Sequence, residues 1–162
     1  MQRTLHDGFV LMLALALAGA AACAEARSDD GASPQSVAPA FEGSRAEAET
    51  FMEYYDSIQL TAPQEAIRKE ALTAMPAPCC SNFSAATCCC ECNLSRTIWG
   101  LSKYLIAREG RGAEEVRAAA EAWVDAVNPA GFPGDTCSSG GCGRSFSEAG
   151  CGGMNPHQLE FE

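Results

Sequence analysis

Four stretches of this chain repeat apolar residues at the three-and-four spacing of a helix face. The first runs over about Arg45 to Ile58, with Ala48, Phe51, Met52, Tyr55 and Ile58 on one side. Thr61-Ala62-Pro63-Gln64 has the form of a capping box, with Thr61 as N-cap and Pro63 in the first turn. It opens a second helix that turns Ile67, Ala71, Ala74 and Met75 inward and stops at Pro76-Ala77-Pro78. Asn93 reads as the N-cap of a third helix, in which Leu94, Ile98, Leu101 and Leu105 form the stripe. Gly110-Arg111-Gly112 breaks it, and Val116, Ala120, Trp123 and Val127 repeat the same spacing up to Asn128-Pro129.

Two matched stripes joined by a short glycine turn predict an antiparallel pair. No segment shows the alternation of a strand, and no internal repeat is evident. The pattern therefore predicts an all-α fold, a small four-helix domain of two helical hairpins with a cysteine-rich connecting loop. An irregular tail rich in glycine and cysteine follows Pro129. Trp99 and Trp123 fall at core or core-rim positions of the last two helices.

The region before the helices has a different character. Arg3 and the apolar run Phe9 to Ala18, followed by small residues, read as an export signal over residues 1–22. The run is shorter than the ~20 apolar residues of a spanning helix. Ala20-Ala21-Ala22-Cys23 is similar to a lipobox, which makes Cys23 the lipidation site and first residue of the mature chain; small-x-small cleavage near Ala22 to Ala26 is the alternative. Residues 23–44, rich in Ala, Ser, Pro, Gly and acid, have the composition of a flexible tether, leaving 45–162 as a single helical cysteine-rich domain. Ala24 in place of an aspartate points to outer-membrane sorting. The expected location is the bacterial cell envelope, periplasm or outer membrane, with the membrane contacted through the lipid.

The formal net charge is −10. A surface that acidic disfavours nucleic acid and anionic lipid and suits cations. No nucleophile elbow, phosphate loop, His-Glu-x-x-His or haem-attachment motif is present. His157 is the only histidine beyond the leader, so general base chemistry at neutral pH is poorly served and the chain does not read as an enzyme.

The chemistry lies in the cysteines. Six of the ten fall between Cys79 and Cys92: Cys79, Cys80, Cys88, Cys89, Cys90 and Cys92. Cys137, Cys142 and Cys151 stand in the tail. In an oxidising compartment, cysteines persist by pairing or by binding metal. Nine in the folded part is an odd number, so at least one is free, metal-bound or intermolecular. Closely spaced thiolates are what a soft transition metal, copper or zinc, selects, and all nine are candidate ligands. Cys92 precedes a helix N-terminus, whose dipole favours a thiolate. Glu91 and Met154 are further candidates, with an exposed turn charge and a packing residue as their simpler readings.

Two other readings stay open. Disulfides from Cys79 or Cys80 to the 88–92 group, with the tail cysteines bridging back or to each other, would staple a structural or interaction domain, each contributing ~2–4 kcal/mol. Alternatively, Cys89-x-x-Cys92 would exchange disulfides, although such a motif normally follows a strand in an alternating β/α fold.

Cys88-x-Cys90-x-Cys92, with Ile106-Ala107-Arg108-Glu109-Gly110 and Glu114-Glu115-Val116-Arg117, resembles a group of small exported bacterial lipoproteins named for a Pro-Cys-Tyr-Cys-Gly-Cys motif. Thr87, Cys89 and Glu91 replace that motif's proline, tyrosine and glycine. The resemblance spans about residues 78–127. It implies an exported, helical, cysteine-rich protein with the cluster as its functional centre.

Overall fold

The computed structural model describes residues 38–162; the predicted leader, Cys23 and most of the predicted tether lie outside them. The order of elements is α1 (Arg45–Ser57), α2 (Ala62–Thr73), β1 (Pro76–Ala77), β2 (Cys80–Ser84), a 3-10 turn (Ala85–Thr87), α3 (Asn93–Glu109), α4 (Ala113–Val127) and a second 3-10 turn (Gly141–Gly143). The four helices fall where the apolar spacing puts them. Among the described residues, none is long and apolar enough to cross a membrane.

Local chemistry sets the helix ends. Ser44 caps α1 in a reciprocal box with Glu47. At α2 the Gln64 side chain accepts from the Thr61 backbone N–H at 3.0 Å. The Glu115 carboxylate does the same for Gly112 at the start of α4, at 3.1 Å. Gly110 ends α3 in the left-handed region at φ 67°.

The predicted stripes are the core. Leu94, Ile98, Leu101 and Leu105 of α3 and Val116, Ala120, Trp123 and Val127 of α4 are all buried. Trp123 is fully enclosed and meets the Phe51 ring edge-on at 4.9 Å and Phe41 at 5.8 Å. Its indole N–H donates to Thr97 Oγ1 at 2.9 Å, which satisfies the one polar atom that burial would leave unpaired. Phe41, ahead of α1, thus belongs to the packed body.

Two expectations hold only in part. The protein is mostly helical but not all-α, because Pro76–Ala77 and Cys80–Ser84 form a two-stranded antiparallel sheet, with Pro76 opposite Ser84 and Ala77 opposite Cys80. A sheet of this size has too few residues to show alternation, and it is anchored from outside. The Ser81 N–H donates to the Gly134 carbonyl at 2.7 Å and the Cys137 N–H to the Cys79 carbonyl at 3.1 Å. Nor do the helices form two hairpins. α3 and α4 pack as predicted, but the principal neighbour of α1 is α3, and α2 lies against α4, α3 and the first 3-10 turn. The reason is Gly100, where a Cβ would stand 1.7 Å from the Phe51 carbonyl oxygen. Only glycine lets the two helix backbones approach this closely.

Candidate metal centre

The N-terminus of α3 organises the site. Its N-cap is Cys92, not Asn93 as the sequence suggested, and no side chain of its own caps it. The first free N–H groups of a helix need acceptors, and the tail supplies them. Asn93 N–H donates to the Gly153 carbonyl and Leu94 N–H to the Cys151 carbonyl, both at 3.0 Å. Asn93 can then turn its fully buried side-chain amide to the carbonyls of Gly152, Asn155 and Gln158, at 2.8, 2.9 and 3.2 Å. Gly152, at φ 70°, leaves room for the Phe146 ring, which a Cβ would meet at 2.3 Å. The tail is therefore folded back and anchored, with Phe146 and Cys151 in the core.

This docking brings three segments together: the β-hairpin with the loop up to Cys92, the stretch around Cys137 and Cys142, and Cys151. All nine described cysteines are free. On the buried side Cys79, Cys137 and Cys151 bring their sulfurs within 4.8 Å of one another, Cys79 and Cys88 sulfurs lie 3.7 Å apart, and buried Cys92 lies beside them. On the outer side Cys89 lies 3.2 Å from Cys137 and 3.9 Å from Cys90, and Cys90 lies 3.7 Å from Cys137. Cys80 lies beside Cys89 and Cys137. Cys90, Cys137 and Cys142 bring their sulfurs within 4.8 Å of one another. Seven of the nine described cysteines are thus linked by short sulfur separations, with Cys80 and Cys92 beside them, and the group runs from buried Cys79, Cys92 and Cys151 to exposed Cys89.

Electrostatics differ across the group. Hydrogen bonds from Cys151, Cys79 and Cys88 hold Cys92 far below the usual thiol range, in keeping with its place at a helix N-terminus. Cys79 is pushed up by its bond to Cys151 and by its bond to Cys92, and Cys88 by its bonds to Cys79 and Cys92. Burial pushes Cys90 up, and Cys137 up to about 11. Exposed Cys89 is lowered, chiefly by its hydrogen bond with Cys137.

The donor set fits a soft metal. Sulfurs bound at about 2.3 Å around one tetrahedral ion stand about 3.8 Å apart, the range of the Cys79–Cys88, Cys90–Cys137 and Cys89–Cys90 pairs. No pair approaches the ~2.05 Å of a disulfide. The three groups of potential ligands among the described residues consist of cysteine alone.

Other candidates are engaged elsewhere or exposed. The Glu91 carboxylate accepts from the Tyr55 hydroxyl at 2.7 Å and pairs with Arg96 at 3.5 Å. Met154 is 45% exposed and His157 is exposed. The sulfur contacts of Cys89 are with Cys90 and Cys137 rather than with Cys92, the other member of its Cys-x-x-Cys spacing. Sequence reasoning missed Asn93 as the tail's anchor and Ser95, whose hydroxyl donates to the Cys92 and Cys90 carbonyls at 2.8 and 3.2 Å. A polar residue just inside a helix start, next to the cysteine cluster, was the available signal for both.

Comparison of the chain with family models, curated proteins and solved structures finds no match.

Proposed function

We propose that this is an exported, lipid-anchored envelope protein that binds a soft metal ion, copper or zinc, through its clustered cysteine thiolates. One observation carries the metal part: seven thiols from three distant segments lie in overlapping groups of sulfurs, several at the spacing of co-ligands. Hydrogen bonds from three thiols already favour the thiolate at Cys92 before any ion is present. The other thiols lose their protons to solvent as sulfur takes up metal. Export and anchoring rest on the leader and on Cys23, and kinship with the Pro-Cys-Tyr-Cys-Gly-Cys lipoproteins rests on the Cys88-x-Cys90-x-Cys92 trio; both belong to the proposal.

Native protein from envelopes should contain bound metal and thiols that mass spectrometry counts as unpaired. Titrating the reduced protein with Zn(II) or Cu(I) against a competing chelator should show tight uptake, lost when Cys79, Cys88 and Cys92 become serine. Native protein with all thiols but one oxidised, whose reduced form takes up neither ion, would establish the disulfide-stapled domain instead. Cys23→Ser should release the protein from membranes; unchanged fractionation would mean ordinary cleavage.

A further inference from the structure

We propose that the centre is polynuclear: several Cu(I) ions in one thiolate cluster, bridged by Cys90 and Cys137. This rests on the metal-thiolate reading and adds the ion, the number and the bridging atoms.

Three trios of sulfurs lie within 4.8 Å of one another: Cys79, Cys137 and Cys151; Cys90, Cys137 and Cys142; Cys88, Cys89 and Cys90. They are not three separate sites. Cys137 belongs to the first and second, Cys90 to the second and third, and those two sulfurs lie 3.7 Å apart. A sulfur shared by two neighbouring positions can serve both, because a thiolate has more than one lone pair to donate. The two remaining cysteines flank the chain of trios, Cys92 on the buried side and Cys80 on the outer one.

The trio is the unit that selects the ion. Zinc takes four ligands in a tetrahedron, all-cysteine sets included, so a trio leaves it one ligand short. Soft thiolate sets select Cu(I), whose small coordination number a trio fills. No imidazole or carboxylate enters any of the three groups. Uptake is balanced without an oxidant or reductant: each Cu(I) remains Cu(I), a copper–sulfur bond forms, and the thiol proton goes to solvent.

The test is anaerobic titration of the fully reduced protein with Cu(I), read by native mass spectrometry and X-ray absorption. The expected result is three Cu(I) per chain, one for each trio, filling cooperatively with a copper–copper scattering path. Cys90→Ser and Cys137→Ser should each lower the saturated count and weaken that path, while circular dichroism shows the helices retained. Met154→Ala should change neither. A single Cu(I) per chain, or several with no copper–copper path, overturns the polynuclear centre but leaves metal-thiolate binding standing. Zn(II) outcompeting Cu(I) overturns the choice of ion. Uptake of neither ion overturns both proposals.

Discussion

The helical body and the cysteine-bearing loops are both packed into one body, but by different means. In the helices, burial follows from side chains: apolar stripes on α1, α3 and α4 close around Trp123, and the backbone satisfies itself within each helix. In the loops, little apolar surface is available, and main-chain hydrogen bonds between distant segments do the holding, as between Ser81 and Gly134, Cys137 and Cys79, and Leu94 and Cys151. A site held in this way can place many sulfurs close together without crowding a hydrophobic core. Its geometry depends on a few polar anchors, whereas that of the helices is spread over many contacts.

Substitutions that strike one region and spare the other sharpen this contrast. The largest effect is expected at the α1–α3 contact. Gly100→Ala pushes a methyl group into the Phe51 carbonyl, and overpacking of this kind costs about 1–3 kcal/mol. At a backbone-to-backbone contact the upper part of that range is expected, and denaturant unfolding measures it. Unchanged stability would mean that the two helices can part at little cost.

Asn93→Ala tests the loops. It removes the amide that serves three tail carbonyls, and leaving such groups unpaired costs about 1–3 kcal/mol. Hydrogen exchange should accelerate over residues 145–160 while α4 stays protected, and metal uptake should weaken because Cys151 is no longer fixed beside Cys92. Equal acceleration throughout would show that body and loops unfold as one unit.

The smallest effect separates the two sides of the sulfur group. Cys89 is exposed and its pKa lies below that of an ordinary thiol, whereas Cys79 and Cys151 are buried and raised. In reduced, metal-free protein, brief iodoacetamide treatment near neutral pH should label Cys89 first, with little change in helix content. Raising the pH through about 11 should bring Cys137 into its reactive thiolate form. Uniform labelling of all nine would contradict the buried-to-exposed gradient.

Much of the helical body was legible because its causes are local. Helical spacing marked the stripes, Thr61 and Gln64 marked a cap, and the Gly110-Arg111-Gly112 break marked the turn between α3 and α4. The partner of α1 was not legible, since the close approach at Gly100 lies between helices far apart in sequence. The same limit hid the role of Asn93. Asparagine next to a helix start reads as a cap, yet the acceptors for its amide lie some sixty residues further along the chain.

By itself, the sequence determined the composition of the centre: nine thiols, six of them crowded before one helix and three in a glycine-rich tail. Composition and short-range spacing are properties of the chain, and they limit the chemistry to that of soft sulfur ligands. The tertiary structure alone decided which thiols meet. Cys151 reaches Cys92 because the tail carbonyls accept from the open N–H groups of α3, and Cys137 reaches the outer sulfurs because its N–H donates to the Cys79 carbonyl. A backbone group unpaired in one segment can be satisfied by any other segment, so no local pattern names its partner. That long-range pairing turns two separate runs of cysteine into one group of sulfurs.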